Sequence, residues 1–265
     1  MASLNTLYNQ IGLGYDVTRR ADPYITNRLF YLLSAAPGKT YIDIGCGTGN
    51  YTVALAAKGL DFRGVDPSER MLASAKQRAG SIEWLSGTAE HIPAPDNFFD
   101  GGIATLTIHH WTNMTDAFSE IFRVLKPGAR FVIFTTTPEQ MAGYWLNHYF
   151  PKMMADSIST LPSIKSIELA ATKAGLTIDT IEKYTVRPDL KDHFLYAGKL
   201  DPAIYFDETI RNGISSFASL ANQTEVVAGL KRLREDMDSQ RFDDLRKQYD
   251  SSSGDYLFVS FVREP

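Results

Sequence analysis

The stretch YIDIGCGTGN, Tyr41 to Asn50, joins an apolar strand-like segment to three glycines that alternate with other residues. The next residues, NYTVALAAKG, have helical character and end at Gly59, so the glycines form a turn between a strand and a helix. Because glycine has no side chain, Gly45, Gly47 and Gly49 would let backbone N–H groups and the helix N-terminus approach a ligand closely. The turn therefore predicts a ligand site at the end of a strand.

Strand-like and helix-like segments alternate on both sides of this turn. A helix is predicted over DPYITNRLFYLLSAAP, and further strands over DFRGVD, SIEWLSG, FDGGIATLTI and ARFVIFTTT, with helices between them. A helix ending at Gly175, the strand LTIDTIEKYTV and the closing strand GDYLFVSFV complete the pattern. Such alternation predicts right-handed crossovers and an α/β fold with a seven-stranded, mostly parallel sheet that has helices on both faces.

Two segments depart from this alternation. We predict that 1–137, 163–186 and 254–265 form the sheet domain, and that 138–162 and 187–253 form a helical cap on the ligand side, largely inserted before the last strand. A compact domain rarely contains a structureless loop as long as the second segment, which is why we expect helices there. Its charge run KRLREDMDSQRFDDLRKQ is interpreted as the solvated face of one helix.

Composition limits the partners. The chain has 265 residues, 44% of them hydrophobic, and a net charge of -4, which favours a soluble globular protein and disfavours nucleic acid. One cysteine, Cys46, excludes an intrachain disulfide, and the five histidines show no metal-binding spacing, so no metal is predicted. No long apolar run suggests a membrane span or a leader, and the predicted location is cytoplasmic. A monomer and a homodimer are both compatible with the sequence.

An acidic residue follows the glycine turn at the spacing expected for a nucleoside site. Asp66 ends the next strand, about 20 residues after the turn, where a carboxylate can accept both hydroxyls of a ribose. The dinucleotide fingerprint G-x-G-x-x-G would need a third glycine at position 50, but Asn50 stands there and Gly49 lies one place early. A nucleoside-bearing ligand is favoured, and a nicotinamide-dependent oxidoreductase is disfavoured.

Taken together, these motifs resemble the class I S-adenosylmethionine-dependent methyltransferases, whose fold is Rossmann-like. The family motif D/E-x-G-x-G-x-G is matched by Asp43 and the three glycines, and the ribose acid by Asp66. The segments GTAEHIP, FDGGIATLTIHHW and EIFRVLKPGARFVI match the loop after the third strand and the elements that follow. Within the family the chain is most similar to the small-molecule branch of ubiquinone and menaquinone biosynthesis methyltransferases. The segment GISSFASLANQ resembles methyltransferases linked to antibiotic biosynthesis.

The resemblance implies S-adenosylmethionine as cofactor and a small, apolar or aromatic metabolite as the substrate, methylated on O, N or C. It implies a cofactor site made of Asp43, Gly45, Cys46, Gly47, Gly49, Asp66, Pro67, Thr88, Ala89 and Glu90, with Tyr8 and Tyr15 in an N-terminal lid. Within the turn we expect Cys46 to be a packing residue rather than a reactive thiol. Thr88 stands where many members carry an Asp facing the adenine amino group, and its hydroxyl can accept that hydrogen bond.

Two histidines, His109 and His110, follow the fourth predicted strand, at the end of the sheet where substrate would enter. Either can act as a general base or bind the substrate by a hydrogen bond, or it can pack as a wall of the pocket. Alternation along a strand would put the two on opposite faces, which favours His110 as the catalytic residue. A tRNA methyltransferase, in which a similar histidine pair occurs, and a non-catalytic S-adenosylmethionine-binding protein remain alternatives.

Overall fold

The computed structural model describes residues 18–249 and 251–264. In its first half, helices and strands alternate as the sequence predicts. The elements are α1 (Pro23–Leu32), β1 (Thr40–Ile44), α2 (Asn50–Ala56), β2 (Asp61–Asp66), α3 (Glu69–Arg78), β3 (Glu83–Ser86), β4 (Phe99–Thr105), a 3₁₀-helix (Ile108–His110), α4 (Met114–Val124) and β5 (Leu125–Thr135).

The second half is richer in short helices. Its elements are α5 (Pro138–Ala142), α6 (Leu146–Tyr149), α7 (Pro151–Ser159), α8 (Ile164–Ala174), β6 (Leu176–Tyr184), two 3₁₀-helices (Ala197–Lys199 and Pro202–Phe206), α9 (Glu208–Asn212), a π-helix (Ser216–Leu220), α10 (Gln223–Asp238), α11 (Arg241–Gln248) and β7 (Tyr256–Arg263).

Capping residues set several of the helix ends. The side chains of Asp22, Asn113 and Ser163 accept backbone N–H groups at the starts of α1, α4 and α8. At the end of α8, Gly175 takes a left-handed conformation with φ of 91°, where a residue with a side chain would be strained. These local signals are why the sequence alone places these helices well.

The seven strands form one sheet in the order β3-β2-β1-β4-β5-β7-β6. All pairings among β1 to β5 are parallel, whereas β7 runs antiparallel to both β5 and β6. The predicted seven-stranded, mostly parallel sheet is confirmed. Strand order reverses between β1 and β4, and in open sheets of this kind the crevice beyond the carboxyl ends at that reversal is where ligands bind.

Each face of the sheet is covered by its own apolar cluster. On one face, α4 and α8 bury Phe118, Ile121 and Ile167 against strand residues such as Phe131. On the other face, α1 and the short helices after β5 pack over Val132 and Phe134. The aromatic side chains of Trp145, Tyr149 and Phe150 are completely buried in this second cluster. They fill the core between these short helices and the sheet, as hydrophobic packing at such positions requires.

Two details differ from the sequence interpretation. The charge run 231–248 belongs to two helices rather than one, because the chain turns at Gln240, whose φ is 61°. The strand β5 begins at Leu125, so it also includes the residues LKPG that precede the predicted strand ARFVIFTTT. Within the described residues, no helix is long and apolar enough to cross a membrane.

Candidate functional site

The glycine turn between β1 and α2 depends on left-handed backbone at all three glycines. Their φ angles are 71°, 55° and 77° at Gly45, Gly47 and Gly49. A Cβ at Gly45 would lie 2.2 Å from Thr107 Oγ1, and one at Gly49 would lie 2.3 Å from the ring of Trp84. A Cβ at Gly47 would meet no described atom within 4 Å. Two glycines therefore serve close packing, while the third faces open space beside the sheet.

Four backbone N–H groups of this turn already have partners within the protein. Gly45 and Cys46 both donate to the carbonyl of Val65, at 2.8 and 3.0 Å, and Gly49 donates to the carbonyl of Cys46 at 2.9 Å. Gly47 donates to Asp66 Oδ2 at 2.9 Å. These four N–H groups are therefore used within the protein, and the predicted approach of a ligand to the turn does not depend on them. Carbonyl and carboxylate oxygens, which keep spare lone pairs, are the polar atoms that these residues present.

Asp43, on β1 just before the turn, is buried and only half satisfied. Its Oδ2 accepts a hydrogen bond of 2.7 Å from the Thr52 hydroxyl, whereas Oδ1 has no partner among the described residues. Burial raises the pKa of Asp43 to about 7, the nearby Asp66 adds to this, and the Thr52 bond opposes it. Near it, the buried Thr48 hydroxyl is also unpartnered among the described residues. Two orphaned oxygens at this turn are what a bound donor group would satisfy.

Asp66 lies at the carboxyl end of β2, as the sequence predicts. Its Oδ1 accepts the N–H of Ser68 at 2.8 Å, and its Oδ2 accepts that of Gly47. Burial raises its pKa, although these two backbone hydrogen bonds lower it. Each oxygen retains lone pairs, so the carboxylate can both fix the turn and accept hydroxyl groups from outside. Pro67 follows it, half-buried.

Cys46 points away from this open space. Its side chain packs in a small cluster with Leu72, Ala75 and Trp84. Burial, together with the negative charges of Asp66 and Asp43, raises the pKa of the thiol well above its ordinary value. The thiol is thus held in its protonated form, which suits the expected packing role and not nucleophilic chemistry.

The loop after β3 contains Thr88, Ala89 and Glu90. Thr88 is exposed and pairs its backbone with His91, while Ala89 is buried. Glu90 Oε1 accepts the N–H of Thr112 at 2.6 Å and that of Asn113 at 3.2 Å. Burial would raise the pKa of Glu90, but these and other hydrogen bonds lower it below its ordinary value. Glu90 therefore holds the loop that leads into α4, a role that the sequence interpretation missed.

His109 and His110 lie together rather than on opposite faces. They occupy the 3₁₀-helix after β4, and their ring centroids are 3.9 Å apart. The argument from strand alternation is wrong, because β4 ends at Thr105 and the chain turns before the histidines. Burial lowers the pKa of His110 to about 4 and that of His109 well below its ordinary value, where His110 and Arg19 add to the effect. Both imidazoles are neutral at pH 7.

Both histidines line a cavity of about 210 Å³ beyond the carboxyl ends of β4 and β5. Its walls combine apolar side chains with many hydroxyl groups. The lining comprises Arg19, Leu106, His109, His110, Thr135, Thr136, Met141, Ser157, Thr160, Leu161, Phe194, Leu195, Ile214, Ser215, Ser216, Ser219, Leu220 and Tyr256. Except for the histidines, sequence reasoning assigned none of these residues to a catalytic or cofactor role. Most of these residues come from elements whose packing only the fold reveals.

Leu106 and Thr107 separate this cavity from the glycine turn. Leu106 lines the cavity in a left-handed conformation with φ of 54°, which is unusual for a residue with a side chain. The next residue, Thr107, packs against Gly45. Such strained backbone clusters at functional sites, where the surrounding structure holds it in place. The cavity and the glycine turn are therefore neighbours, with two residues between them.

Arg19 enters the cavity wall from the N-terminal side. Its guanidinium pairs with Asp192, with contacts of 2.5 and 3.2 Å, and Tyr51 donates to the same carboxylate at 3.1 Å. Asp192 is buried, so the ion pair fixes Arg19 and balances its charge. Tyr8 and Tyr15, expected to form a lid, lie outside the described residues. Among the described residues, no group of three or more His, Cys, Asp or Glu is placed to hold a metal ion.

Comparisons with known proteins place the site in a family. A family model described as a methyltransferase domain matches residues 42–133, which include the glycine turn, Asp66 and the histidines. A solved structure from Anabaena variabilis, named as a methyltransferase from an antibiotic biosynthesis pathway, is 32% identical over 92% of this chain and 98% of its own, with a TM-score of 0.82.

Curated relatives agree with this. A demethylmenaquinone methyltransferase of Bacillus mycoides is 29% identical, with the match covering 58% of this chain and 76% of that protein. The corresponding enzyme of Bacillus licheniformis is 34% identical over 44% of this chain, and the chain spans about half of its length, 53%. The full-length similarity to the Anabaena protein decides the assignment. The chain belongs to the class I S-adenosylmethionine-dependent methyltransferases, and it is an enzyme of that family that uses S-adenosylmethionine.

Proposed function

We propose that the protein transfers the methyl group of S-adenosylmethionine to an O, N or C nucleophile of a small, apolar or aromatic metabolite. The observation that carries this proposal is a pair of adjoining spaces beyond the carboxyl ends of the strands, where strand order reverses between β1 and β4. One lies beside Gly47 and Asp66, and the other is the cavity lined by the two histidines, with Leu106 and Thr107 between them. That layout lets a cofactor and a small acceptor meet at one boundary.

The residues of the first space fit this cofactor. The orphaned Oδ1 of Asp43 and the occupied N–H groups of the turn suit a ligand that donates protons, such as the ammonium of the methionine part. A pyrophosphate needs N–H donors, and four N–H groups of the turn already have partners within the protein. We assign Asp43 and the turn from Gly45 to Gly49 to the amino acid end and Asp66 to the ribose. Pro67, Thr88 and Ala89 lie towards the adenine.

For methyl transfer, the protein mainly has to align the acceptor with the methyl group and to exclude water. When bound, the cofactor supplies an electrophilic methyl group on a sulfonium. The apolar lining of the cavity keeps water out, and its walls hold the acceptor in line with the boundary at Leu106 and Thr107. A neutral imidazole of His109 or His110 can take the proton of a hydroxyl or amine nucleophile.

A small molecule is proposed rather than tRNA because of the cavity. It holds about 210 Å³, and Arg19, the one formally charged side chain in its described lining, is already paired with Asp192. Binding of RNA depends on unpaired basic side chains facing phosphates. A cytoplasmic location, and a monomer or homodimer, complete the proposal.

The first experiment is a calorimetric titration with S-adenosylmethionine, S-adenosylhomocysteine and NADH. We expect saturable binding of the first two and none of NADH. Replacement Asp66→Ala should weaken S-adenosylhomocysteine binding at least about tenfold, since each charge-assisted hydrogen bond contributes roughly 1.5 to 3 kcal/mol.

The matched control is Asp61→Ala, at the opposite end of the same strand, where the carboxylate accepts only the Thr40 hydroxyl among the described residues. Asp61→Ala should bind S-adenosylhomocysteine with the same affinity as the wild type. Unchanged affinity in Asp66→Ala would remove Asp66 from the site, and binding of NADH alone would overturn the proposed function. Incubation with labelled cofactor and a metabolite extract then tests whether a small molecule is the methyl acceptor.

A further inference from the structure

The two cavity histidines lie in a short segment that joins β4 to α4. We call residues 107–113 the histidine segment; it contains the 3₁₀-helix Ile108–His110 and ends at Asn113, the residue that caps α4. Its backbone belongs to no strand and to no helix longer than three residues. Contacts at the two ends of this segment therefore decide much of where the imidazoles of His109 and His110 lie.

The first end of the histidine segment packs on the glycine turn. A Cβ at Gly45 would lie 2.2 Å from Thr107 Oγ1, so Thr107 sits directly against that glycine. The preceding residue, Leu106, donates its N–H to the Phe134 carbonyl of β5 at 2.8 Å. This end is thus fixed between the sheet and one wall of the proposed cofactor space.

The second end of the histidine segment is bound by Glu90. Glu90 Oε1 accepts the N–H of Thr112 at 2.6 Å, the hydroxyl of the same residue at 3.0 Å and the N–H of Asn113 at 3.2 Å. Although partial burial raises the pKa of Glu90, its hydrogen bonds hold that pKa below the ordinary value, so the group is a carboxylate at pH 7. The dipole of α4 also favours a negative charge at this end of the helix. One carboxylate oxygen thus fastens the residues between the histidines and α4.

Glu90 itself belongs to the loop after β3 that contains Thr88. We call residues 87–91 the cofactor loop, because the proposed function assigns part of it to the adenine. At its start, Gly87 donates its N–H to the backbone carbonyl of Asp66 at 3.3 Å. Glu90 therefore connects the histidine segment to a loop that begins beside the residue assigned to the ribose.

We propose that Glu90 is a positioning residue, which holds the His109–His110 pair in place against the cofactor loop so that the imidazoles meet the acceptor beside the methyl group. This inference deepens the proposed function and rests on it. Both ends of the histidine segment contact walls of the cofactor space, at Gly45 and at the cofactor loop, so a ligand in that space shifts both. Glu90 lies outside the described lining of the cavity, yet a misplacement of about 1 Å can cost about 100-fold in rate.

The ring signals of the histidines report this position. The chain has five histidines, and replacing each by Gln assigns its Cε1–Hε1 signal in a carbon–proton correlation spectrum. In Glu90→Ala the signals of His109 and His110 should shift. The further shift that saturating S-adenosylhomocysteine causes in the wild type should be mostly lost. The signal of His148, on α6, should not move and serves as the internal reference.

Glu90→Ala should keep the fold, because a second contact still holds the segment. The ring of Trp111 packs against that of Phe118 in α4, with centroids 5.7 Å apart, and this contact does not involve Glu90. Thermal unfolding checks that the variant is folded. The loss expected in Glu90→Ala is therefore one of orientation at the histidines.

Glu90→Gln separates hydrogen bonding from charge. The amide oxygen can accept the same N–H groups, whereas the negative charge is gone. This variant should keep the histidine signals near their wild-type positions and keep methyl transfer into a metabolite extract within about threefold. Glu90→Ala should lower that transfer by about 10- to 100-fold. Both are measured with S-adenosylmethionine at saturation, so that a change in cofactor affinity does not alter the rate.

The matched control is Glu120→Ala, within α4 itself. Glu120 Oε2 accepts the N–H of Ile92 at 2.9 Å and so binds the chain just after the cofactor loop to the same helix. It lies about 10 Å along the helix axis from Asn113. Glu120→Ala should leave the signals of His109 and His110, and methyl transfer, unchanged.

Three results would each overturn the inference. They are unmoved histidine signals in Glu90→Ala, the same change in Glu120→Ala, and a Gln variant that behaves like the Ala variant. If Glu90→Ala does not fold, Thr112→Val takes its place, since it keeps the side-chain shape and loses one of the three hydrogen bonds. It should shift the same two signals, and their constancy would equally refute the role of Glu90.

Calorimetry with S-adenosylhomocysteine on the same samples keeps the two proposals apart. If the cofactor product binds and the histidine signals do not respond to Glu90→Ala, only the inference about Glu90 fails. If the product does not bind, the proposed function fails, and the ring signals of the protein alone still decide whether Glu90 positions the histidines.

Discussion

Asp43 is the residue whose ionisation should leave the clearest trace in stability. Its pKa in the folded protein is raised to about 7 from an ordinary value of 3.8, mainly by burial. Between these two values the folded state holds a proton that the unfolded state has released. The free energy of unfolding must therefore fall as pH rises through this window, by up to about 4 kcal/mol from this group.

Replacement Asp43→Asn should remove this term, since the amide does not ionise and its oxygen can still accept from Thr52. Urea unfolding at pH 5 and pH 8 measures the effect in the cofactor-free protein. We expect the variant to be more stable than the wild type at pH 8, with the difference shrinking towards pH 5. A difference that is the same at both values would mean that Asp43 is ionised in the folded protein throughout.

His110 gives a second prediction at a single residue. Because burial lowers its pKa to about 4, the imidazole is neutral and able to accept a proton throughout the range from pH 5 to 8. Replacement His110→Gln should lower methyl transfer into a metabolite extract by about 100-fold, the lower range for loss of a general base. Binding of S-adenosylhomocysteine should stay within about twofold.

The matched variant is His109→Gln, on the same 3₁₀-helix and against the same cavity. A loss of transfer in that variant alone would assign the base to His109. Full transfer in both variants would leave the pair as pocket walls, as the alternative reading of the sequence allowed.

At the level of single elements, replacements in the glycine turn distinguish an effect on stability from an effect on cofactor binding. A side chain at Gly47 meets open space, whereas one at Gly45 collides with Thr107. Replacement Gly47→Ala should cost only the strain of left-handed backbone, about 1–2 kcal/mol. It should also weaken S-adenosylhomocysteine binding more than about tenfold, because its methyl group enters the proposed cofactor space.

Gly59, which follows α2 on the chain, is the matched control for this turn. Its φ is 84°, and a Cβ there also meets no described atom within 4 Å. Gly59→Ala should show the same loss of stability with unchanged binding. Normal binding by Gly47→Ala would place the cofactor elsewhere. Gly45→Ala should lose more stability than either variant, which urea unfolding would measure.

The elements also show where sequence reasoning succeeds. The strand β2, predicted from DFRGVD, has the bounds Asp61–Asp66, because glycine and proline signals enclose it. The histidine pair was found but misplaced, since no local feature of the sequence indicates that β4 ends at Thr105, four residues before His109. The occupied N–H groups of the glycine turn were missed for a similar reason. Their main acceptor, the Val65 carbonyl, belongs to the neighbouring strand.

Across the whole molecule, the cavity was beyond prediction because its walls meet only in the folded chain. Ser157 and Ser216 are 59 residues apart yet share a hydrogen bond, and Arg19 and Asp192 are 173 residues apart. The individual residue types carry no signal, since Ser and Thr are common on helices and usually bond their own backbone. What the sequence does supply is the place of the cavity, at the reversal of strand order.

The last prediction concerns how the cap and the sheet hold together. Lys199, in the segment predicted to form the cap, donates to both carboxylate oxygens of Asp255, next to β7, at 2.8 and 2.9 Å. The two side chains are only 13% and 8% exposed. Removing one partner of a buried pair leaves the other charge without compensation, so Lys199→Met should cost about 3–5 kcal/mol. Lys152→Met, which breaks an exposed pair with Asp156, should not measurably change the urea midpoint.

Trp145 and Phe150, in the segment predicted to form the cap, share one apolar cluster with Phe134 of the sheet. We therefore expect Lys199→Met to lower the stability of the cap segment and of the sheet together. Hydrogen exchange followed by mass spectrometry over a urea series distinguishes the possibilities. Peptides from α10 and from β4 and β5 should lose protection at the same, lowered urea concentration. If the peptides of the cap open first while those of the sheet keep the wild-type midpoint, the cap is a separately folding unit, and the shared cluster does not couple it to the cofactor-binding sheet.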